Sequence, residues 1–193
     1  MSHNKRAELI RKSLDLFYRN GFHATGMDLV AKETGVSKTS IYKHFRTKEE
    51  LILAVLRLRD ENFRNRLFRR MEEISDTAEG QLFALFDALE EWFQQDGFQG
   101  CMFIKASAEY QEREHPINAQ ALEHKRLLLE HFTQLATAAE YENPRALACQ
   151  ILVLKEGAIV LAAMSHSCDP ANDARKAAKV LLSHYPKTNE DRS

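Results

Sequence analysis

The chain has 193 residues, 44% hydrophobic and 28% charged, the composition of an ordinary globular protein with material for one sizeable core or two small ones. Seven glycines and four prolines are too few to turn an all-β fold. No apolar run approaches the roughly 20 residues that span a membrane, and the polar N-terminus lacks a signal core, so the expected location is the cytoplasm with no membrane partner.

The formal net charge of −1 divides unevenly: Met1 to Arg70 holds 16 of 27 Lys+Arg and 8 of 28 Asp+Glu, a balance of +8 that leaves −9 for the rest. A basic front suits a polyanionic partner, and equally a solvated basic face. Cys101, Cys149 and Cys168 are odd in number and far apart, which fits neither a zinc ribbon nor a disulfide framework.

Ala7, Ile10, Leu14 and Phe17 recur at helical spacing and predict a first helix that ends at Asn20-Gly21. Thr25 with Asp28 three residues on resembles a capping box opening a helix of about two turns, with Met27, Val30 and Ala31 inward. Gly35 breaks it, and Ser37 is the expected N-cap of a third helix. That helix buries Ile41 and Phe45 and turns Lys38, Thr39, Tyr42 and Lys43 outward, with Ser40 and His44 near the edges.

Thr47 and Glu50 form a T-x-x-E capping box. The helix they open has Leu51, Ala54, Val55 and Leu58 on one face and meets neither Gly nor Pro before Gly80. A run from Lys48 to about Ser75 would be roughly 40 Å long at ~1.5 Å per residue. An aromatic helix follows, carrying Phe83, Phe86, Trp92 and Phe93, and a shorter one is expected over Gly100 to Arg113. Pro116 and Asn143-Pro144 open two long helices, the first with Leu122, Leu128, Leu129, Phe132 and Leu135. A last helix starts after Cys168-Asp169-Pro170, and the end beyond Pro186 is expected to be mobile. No strand pattern or internal repeat appears. The fold class is all-α, about nine helices: a small helix-turn-helix domain over 1–47 and a larger helical domain over 48–193, bridged by the helix 48–75.

A small turn residue, an apolar inner face and an outer face of donors without bulk are what a helix-turn-helix needs to lay its second helix in the major groove. Turn plus polar helix would be weak alone. The run NGFHATGMDLVAKETGVSKTSIYKHFRTKEELILAV, however, closely resembles the N-terminal domain of the TetR family of transcriptional regulators. The likeness is carried by Asn20-Gly21-Phe22, Thr25, Val30-Ala31, Gly35-Val36-Ser37, Ile41 to Phe45 and Lys48 to Leu51, over about the first third of the chain.

That resemblance implies roles. Lys38, Thr39, Ser40 and Tyr42 would contact base edges or the groove beside them, and Thr25, Lys43, His44 and Lys48 would hold phosphates. Thr25 serves equally as a cap. One short recognition helix covers few base pairs, so a homodimer on a near-palindromic operator of double-stranded DNA is expected. The last two long helices are the natural interface, through Leu147, Ile151, Leu154, Ala158, Leu161, Ala174, Ala177 and Leu181, or else they complete a monomer core.

The resemblance also implies a small-molecule effector, apolar or aromatic, in the C-terminal domain. Phe86, Trp92, Phe93, Cys101, Phe103, Ser107 and Tyr110 could line its pocket, or fill the core. Ligand would release DNA by shifting the bridging helix, making the protein a repressor; an activator of the same fold, or a redox- or electrophile-responsive repressor sensing through Cys101, are the alternatives. Neither a cofactor nor a metal is expected, since His115, His124, His131 and His166 lack ligand spacing. Without a GxSxG or a phosphate-cradling loop, an enzyme is not expected.

Overall fold

The computed structural model describes residues 2–164 and 169–188, with side chains from Lys5 onward; His166, Cys168 and the end from Asn189 lie outside the described residues. Nine α-helices are described: α1 Ser2–Asn20, α2 Met27–Thr34, α3 Lys38–His44, α4 Lys48–Ile74, α5 Ala78–Phe93, α6 Met102–Glu109, α7 Pro116–Ala138, α8 Pro144–Met164 and α9 Pro170–His184. No strand occurs among the described residues, where β pairing amounts to an isolated antiparallel bridge between Tyr141 and Lys187. The chain forms two compact units, one of Met1–Phe63 with Cys101–His124, the other of Arg64–Gly100 with Lys125–Ser193.

In the first unit, α1 stops where Gly21 takes φ +81° and its N–H donates to the Phe17 carbonyl at 2.9 Å. The buried side of α1 is Leu9, Ile10, Leu16 and Phe17, so the face expected through Ala7 and Leu14 is rotated: Ala7 is exposed and Leu14 half-buried. Two leucines outweigh one alanine and one leucine when the stripe chooses its side.

The capping box expected at Thr25 does not form. Gly26 is the N-cap of α2, Thr25 turns its hydroxyl back to the Gly21 carbonyl at 2.7 Å, and Asp28 reaches Lys38 instead. Gly35 ends α2 in the left-handed conformation, φ +71°, with its N–H on the Ala31 carbonyl. Ser37 caps α3 as expected, accepting from the Ser40 N–H at 3.2 Å. At α4, Thr47 accepts from the Glu50 N–H at 3.2 Å while the Glu50 carboxylate accepts from the Arg46 N–H at 2.7 Å, one residue before the cap. Phe17, Phe22, Val30, Ile41, Leu51, Ile52 and Val55 close the core these caps define.

The helix expected over Gly100 to Arg113 is shorter, Met102–Glu109, closed by the Tyr110 N–H on the Ala106 carbonyl. Along α7, Ile117, Ala121, Leu128 and Phe132 are buried and Leu122 is exposed, because the buried stripe passes through His124 rather than Leu122. The His124 Nδ1 lies 2.7 Å from Asp60 Oδ1 on α4, and its ring stacks on Phe103 at 3.8 Å.

In the second unit, α5 starts at the Thr77 cap and buries Leu82, Leu85, Phe86 and Leu89. By length and composition α8 is apolar enough to cross a membrane, contrary to the expectation from the run of residues. Yet its middle carries Lys155, fully buried, and Glu156. The Glu156 carboxylate accepts from Lys155 at 2.7 Å and from Lys125 of α7 at 2.6 Å. Lys187 and Thr188, in the stretch expected to be mobile, are tied down: the Thr188 N–H donates to the Glu140 carbonyl, and Lys187 pairs with Glu79 at 2.6 Å.

Burial pushes the Glu156 carboxyl up, but Lys155 and Lys125 outweigh it and hold it down at about 2. A carboxyl held below its ordinary 4.5 stabilises the fold above that pH and loses the contribution as pH falls toward 2. Glu156→Gln is therefore expected to destabilise at neutral pH by about 3 kcal/mol and to flatten the stability profile below pH 4.5, as read by urea melts across a pH series.

Candidate DNA-binding surface

The outer face of α3 exists because its inner face is committed: Ile41 is buried and Phe45 follows it into the core. Thr39, Lys43 and Tyr42 are exposed, and Ser40 and His44 are half-buried. Lys38 is exposed too, but its ammonium sits 2.8 Å from Asp28, and that hydrogen bond raises its pKa. In the free protein Lys38 is thus held by a carboxylate, which a nucleic-acid acceptor would have to displace.

Lys48, at the start of α4, directs its ammonium to the His23 carbonyl at 3.3 Å. The cation thereby lies beside the α1–α2 loop instead of extending into solvent. Thr25 differs from its companions: it is fully buried, and its hydroxyl is spent on the Gly21 carbonyl. Here the geometry displays neither a helix cap nor a free phosphate donor, but a clasp on the preceding loop. Lys38, Thr39, Ser40, Tyr42, Lys43 and His44 come together on one short helix with Lys48 in the same unit, and Thr25 stands behind them.

One group was invisible to sequence reasoning. Glu109, the last residue of α6, accepts from the Phe22 N–H at 3.0 Å and the His23 N–H at 2.5 Å. Lys105, one turn earlier, donates to the Tyr18 carbonyl at 3.2 Å, near the end of α1. Burial lowers the Lys105 pKa, partly offset by Glu109. Tyr110 packs its ring on Phe22 and, at 4.7 Å, on His23, and burial raises its phenol to about 12. The sequence carried no signal for it, since the helix expected over Gly100 to Arg113 put Glu109 in its interior rather than at its end.

The remaining candidates divide between the units. Phe86, Trp92 and Phe93 lie on α5 in the second; Cys101, Phe103, Ser107 and Tyr110 lie in the first. Phe86 is core, while Trp92 and Phe93 are half-buried and cluster with Phe98. Ser107 is exposed and donates to Asn118, Cys101 is buried at the N-cap of α6, and Phe103 lies on His124. Among the described residues, Cys149 is the exposed cysteine.

On α8 and α9, Leu147, Ile151, Ala158 and Ala174 are buried inside this protomer. Leu154 and Leu181 are half-buried, and Leu161 and Ala177 are exposed. Around them stands an apolar face with Val153 71%, Met164 79% and Val180 62% exposed. A shallow apolar groove on it is lined by Cys149, Gln150, Val153, Leu154, Ala177 and Leu181.

The family of bacterial regulatory proteins, tetR family, matches residues 9–55, which hold the whole of α2 and α3. The chain carries the DNA-binding domain of the TetR family. The HTH-type transcriptional regulator YjdC of Escherichia coli K12 is 24% identical over 178 residues, covering 92% of this chain and 93% of that protein. The HTH-type transcriptional activator FasR of Mycolicibacterium smegmatis is 33% identical over 100 residues, 52% of this chain and 45% of FasR. The crystal structure of SCO4454, a TetR-family regulator from Streptomyces coelicolor, superposes with a TM-score of 0.85 at 27% identity, covering 93% of this chain and 94% of that one. The chain is a DNA-binding transcriptional regulator.

If the Thr25 hydroxyl serves the loop rather than a phosphate, Thr25→Val is expected to lower stability by about 1 kcal/mol and leave the salt dependence of DNA binding unchanged. Urea melts and binding titrations at several salt concentrations check both.

Proposed function

We propose that the protein is a homodimeric repressor that binds a palindromic operator through α3 and is released by a small apolar or aromatic effector held in its C-terminal helices. The observation that carries the DNA reading is the outer face of α3, donors on every turn with Lys48 beside it. Lys38, Thr39, Ser40 and Tyr42 would meet base edges, and Lys43, His44 and Lys48 the phosphates. Lysine can donate to guanine acceptors, and the threonine methyl can meet the thymine methyl.

The homodimer is supported by the uncovered apolar face of α8 and α9, centred on Val153, Leu161, Met164 and Val180. A patch of this kind on a regulator whose single recognition helix spans seven residues fits a second copy of the chain. The residues buried inside the protomer, Leu147, Ile151, Ala158 and Ala174, would shape this face from behind.

Release would follow from a shift of α4, which alters the spacing of two recognition helices on the operator, so that effector and DNA oppose each other reciprocally. The family's prevailing habit supports repression and a cytoplasmic location. FasR, an activator, supports the second reading, in which the same contacts recruit rather than block transcription. Sensing through Cys101 finds less support, because that thiol is buried.

Selection from random duplexes is expected to enrich one palindromic motif; a scaffold for protein partners alone would enrich none. Tyr42→Ala and Lys48→Ala should each weaken binding to that motif by about tenfold while sedimentation still finds a dimer. Leu161→Glu should do the reverse, giving a folded monomer whose operator affinity collapses, since a charge buried at an apolar interface is unpaired.

A further inference from the structure

The loop from Gly21 to Gly26 joins α1 to α2 and has no regular structure of its own. Its N–H groups need acceptors from elsewhere. Two of them, at Phe22 and His23, are taken by the two oxygens of one carboxylate, Glu109. The fit is close on the glycine side as well. Gly21 already sits at φ +81°, and a Cβ there would meet Glu109 Oε1 at 2.9 Å. The His23 ring adds its Nδ1 at 3.5 Å from Oε2.

A carboxylate at the last position of a helix faces the negative end of the dipole. Glu109 breaks that local rule at the end of α6, and its gain lies in the loop it grips. Local conflicts of this kind tend to mark positions that serve function. The carbonyl of the same residue points to what is served. His23 offers its N–H to Glu109 and its carbonyl to the ammonium of Lys48, at 3.3 Å. An unbroken line of hydrogen bonds thus runs from the end of α6, through one loop residue, to a cation at the start of α4.

We propose that Glu109 is a positioning residue for DNA binding: it fixes the Phe22–His23 backbone, and so the carbonyl that aims Lys48 at a phosphate. This rests on Lys48 being a phosphate contact, as set out above. A free lysine loses rotamer freedom when it engages a phosphate. A lysine already held by a fixed carbonyl loses less, and the advantage disappears if the loop is released.

The sign of one substitution separates this from general electrostatics. Glu109→Gln removes a negative charge from the unit that meets DNA. By charge alone, binding should tighten. As a positioning residue, Glu109 gives the opposite result, because a neutral amide offers one acceptor oxygen where the carboxylate offers two.

The test is operator binding by the full-length protein over a salt series, for wild type, Glu109→Gln, Glu109→Ala, Lys48→Ala and the Glu109→Gln/Lys48→Ala pair. Circular dichroism and sedimentation confirm fold and dimer for each; if the alanine variant does not fold, the glutamine variant carries the result. Lys48→Ala should lower the salt slope of the dimer by about 1.8, one phosphate contact from each protomer. Glu109→Gln should weaken binding several-fold and lower the slope in the same direction, and add less than about twofold once Lys48 is gone.

Tighter binding by Glu109→Gln, an unchanged slope, or an effect that multiplies fully with Lys48→Ala overturns the positioning role and leaves the phosphate reading of Lys48 standing. A Lys48→Ala variant with wild-type slope overturns the phosphate reading, and this proposal with it.

Discussion

The first unit depends on a carboxylate satisfying a loop that cannot satisfy itself. Between α1 and α2 the chain must reverse within a few residues, and the left-handed Gly21 makes the reversal possible. The reversal exposes backbone donors that neither helix can use. Glu109 takes two of them, Lys105 takes the Tyr18 carbonyl, and Thr25 returns its hydroxyl to Gly21. With the loop fixed, Phe22 enters the core against Phe17 at 5.6 Å, and α2 and α3 have a floor to stand on. The outer face of α3 is thus backed by the packing of this loop and the core beneath it.

The same economy appears in α8. One side of it closes the second unit through Leu147, Ile151 and Ala158. Another turns Val153, Leu161 and Met164 to solvent. Apolar residues almost all round a helix make it read as a candidate membrane span. What distinguishes it is Lys155 and Glu156 in its middle, paired with Lys125 on α7. Charges buried in that way need fixed partners, and α7 provides one. The outward face of this helix is apolar although its middle carries charges.

Buried polar pairs recur in both units. His124 and Asp60 meet at 2.7 Å under Phe103, and the Glu156 cluster joins α7 to α8. The first joins helices through residues 64 positions apart in sequence, and the second joins two consecutive helices. Such pairs have a direction and a length, which apolar contacts lack, so they fix how the helices sit within a unit.

Much of this was legible in the residues. Helix number and class followed from periodicity, and Pro116, Pro144, Ser37 and the Gly35 break marked real boundaries because those residues act on the backbone locally. The outer face of α3 followed from the burial of Ile41 and Phe45. Local rules fail where a side chain has two possible partners. Thr25 could cap α2 or turn back to Gly21, and Asp28 could cap or pair with Lys38; only the packed loop decided. Leu122 and His124 both lie on α7, and the histidine is the buried one because Asp60 waits on α4. Glu109 shows the limit most clearly. Its partners are 86 and 87 positions away, so no window along the chain contains both the carboxylate and the amides it satisfies. Sequence alone determined which segments are helices; tertiary structure decided which side of α1 and α7 is buried and which polar groups meet, because hydrogen bonds need distance and direction that periodicity does not encode.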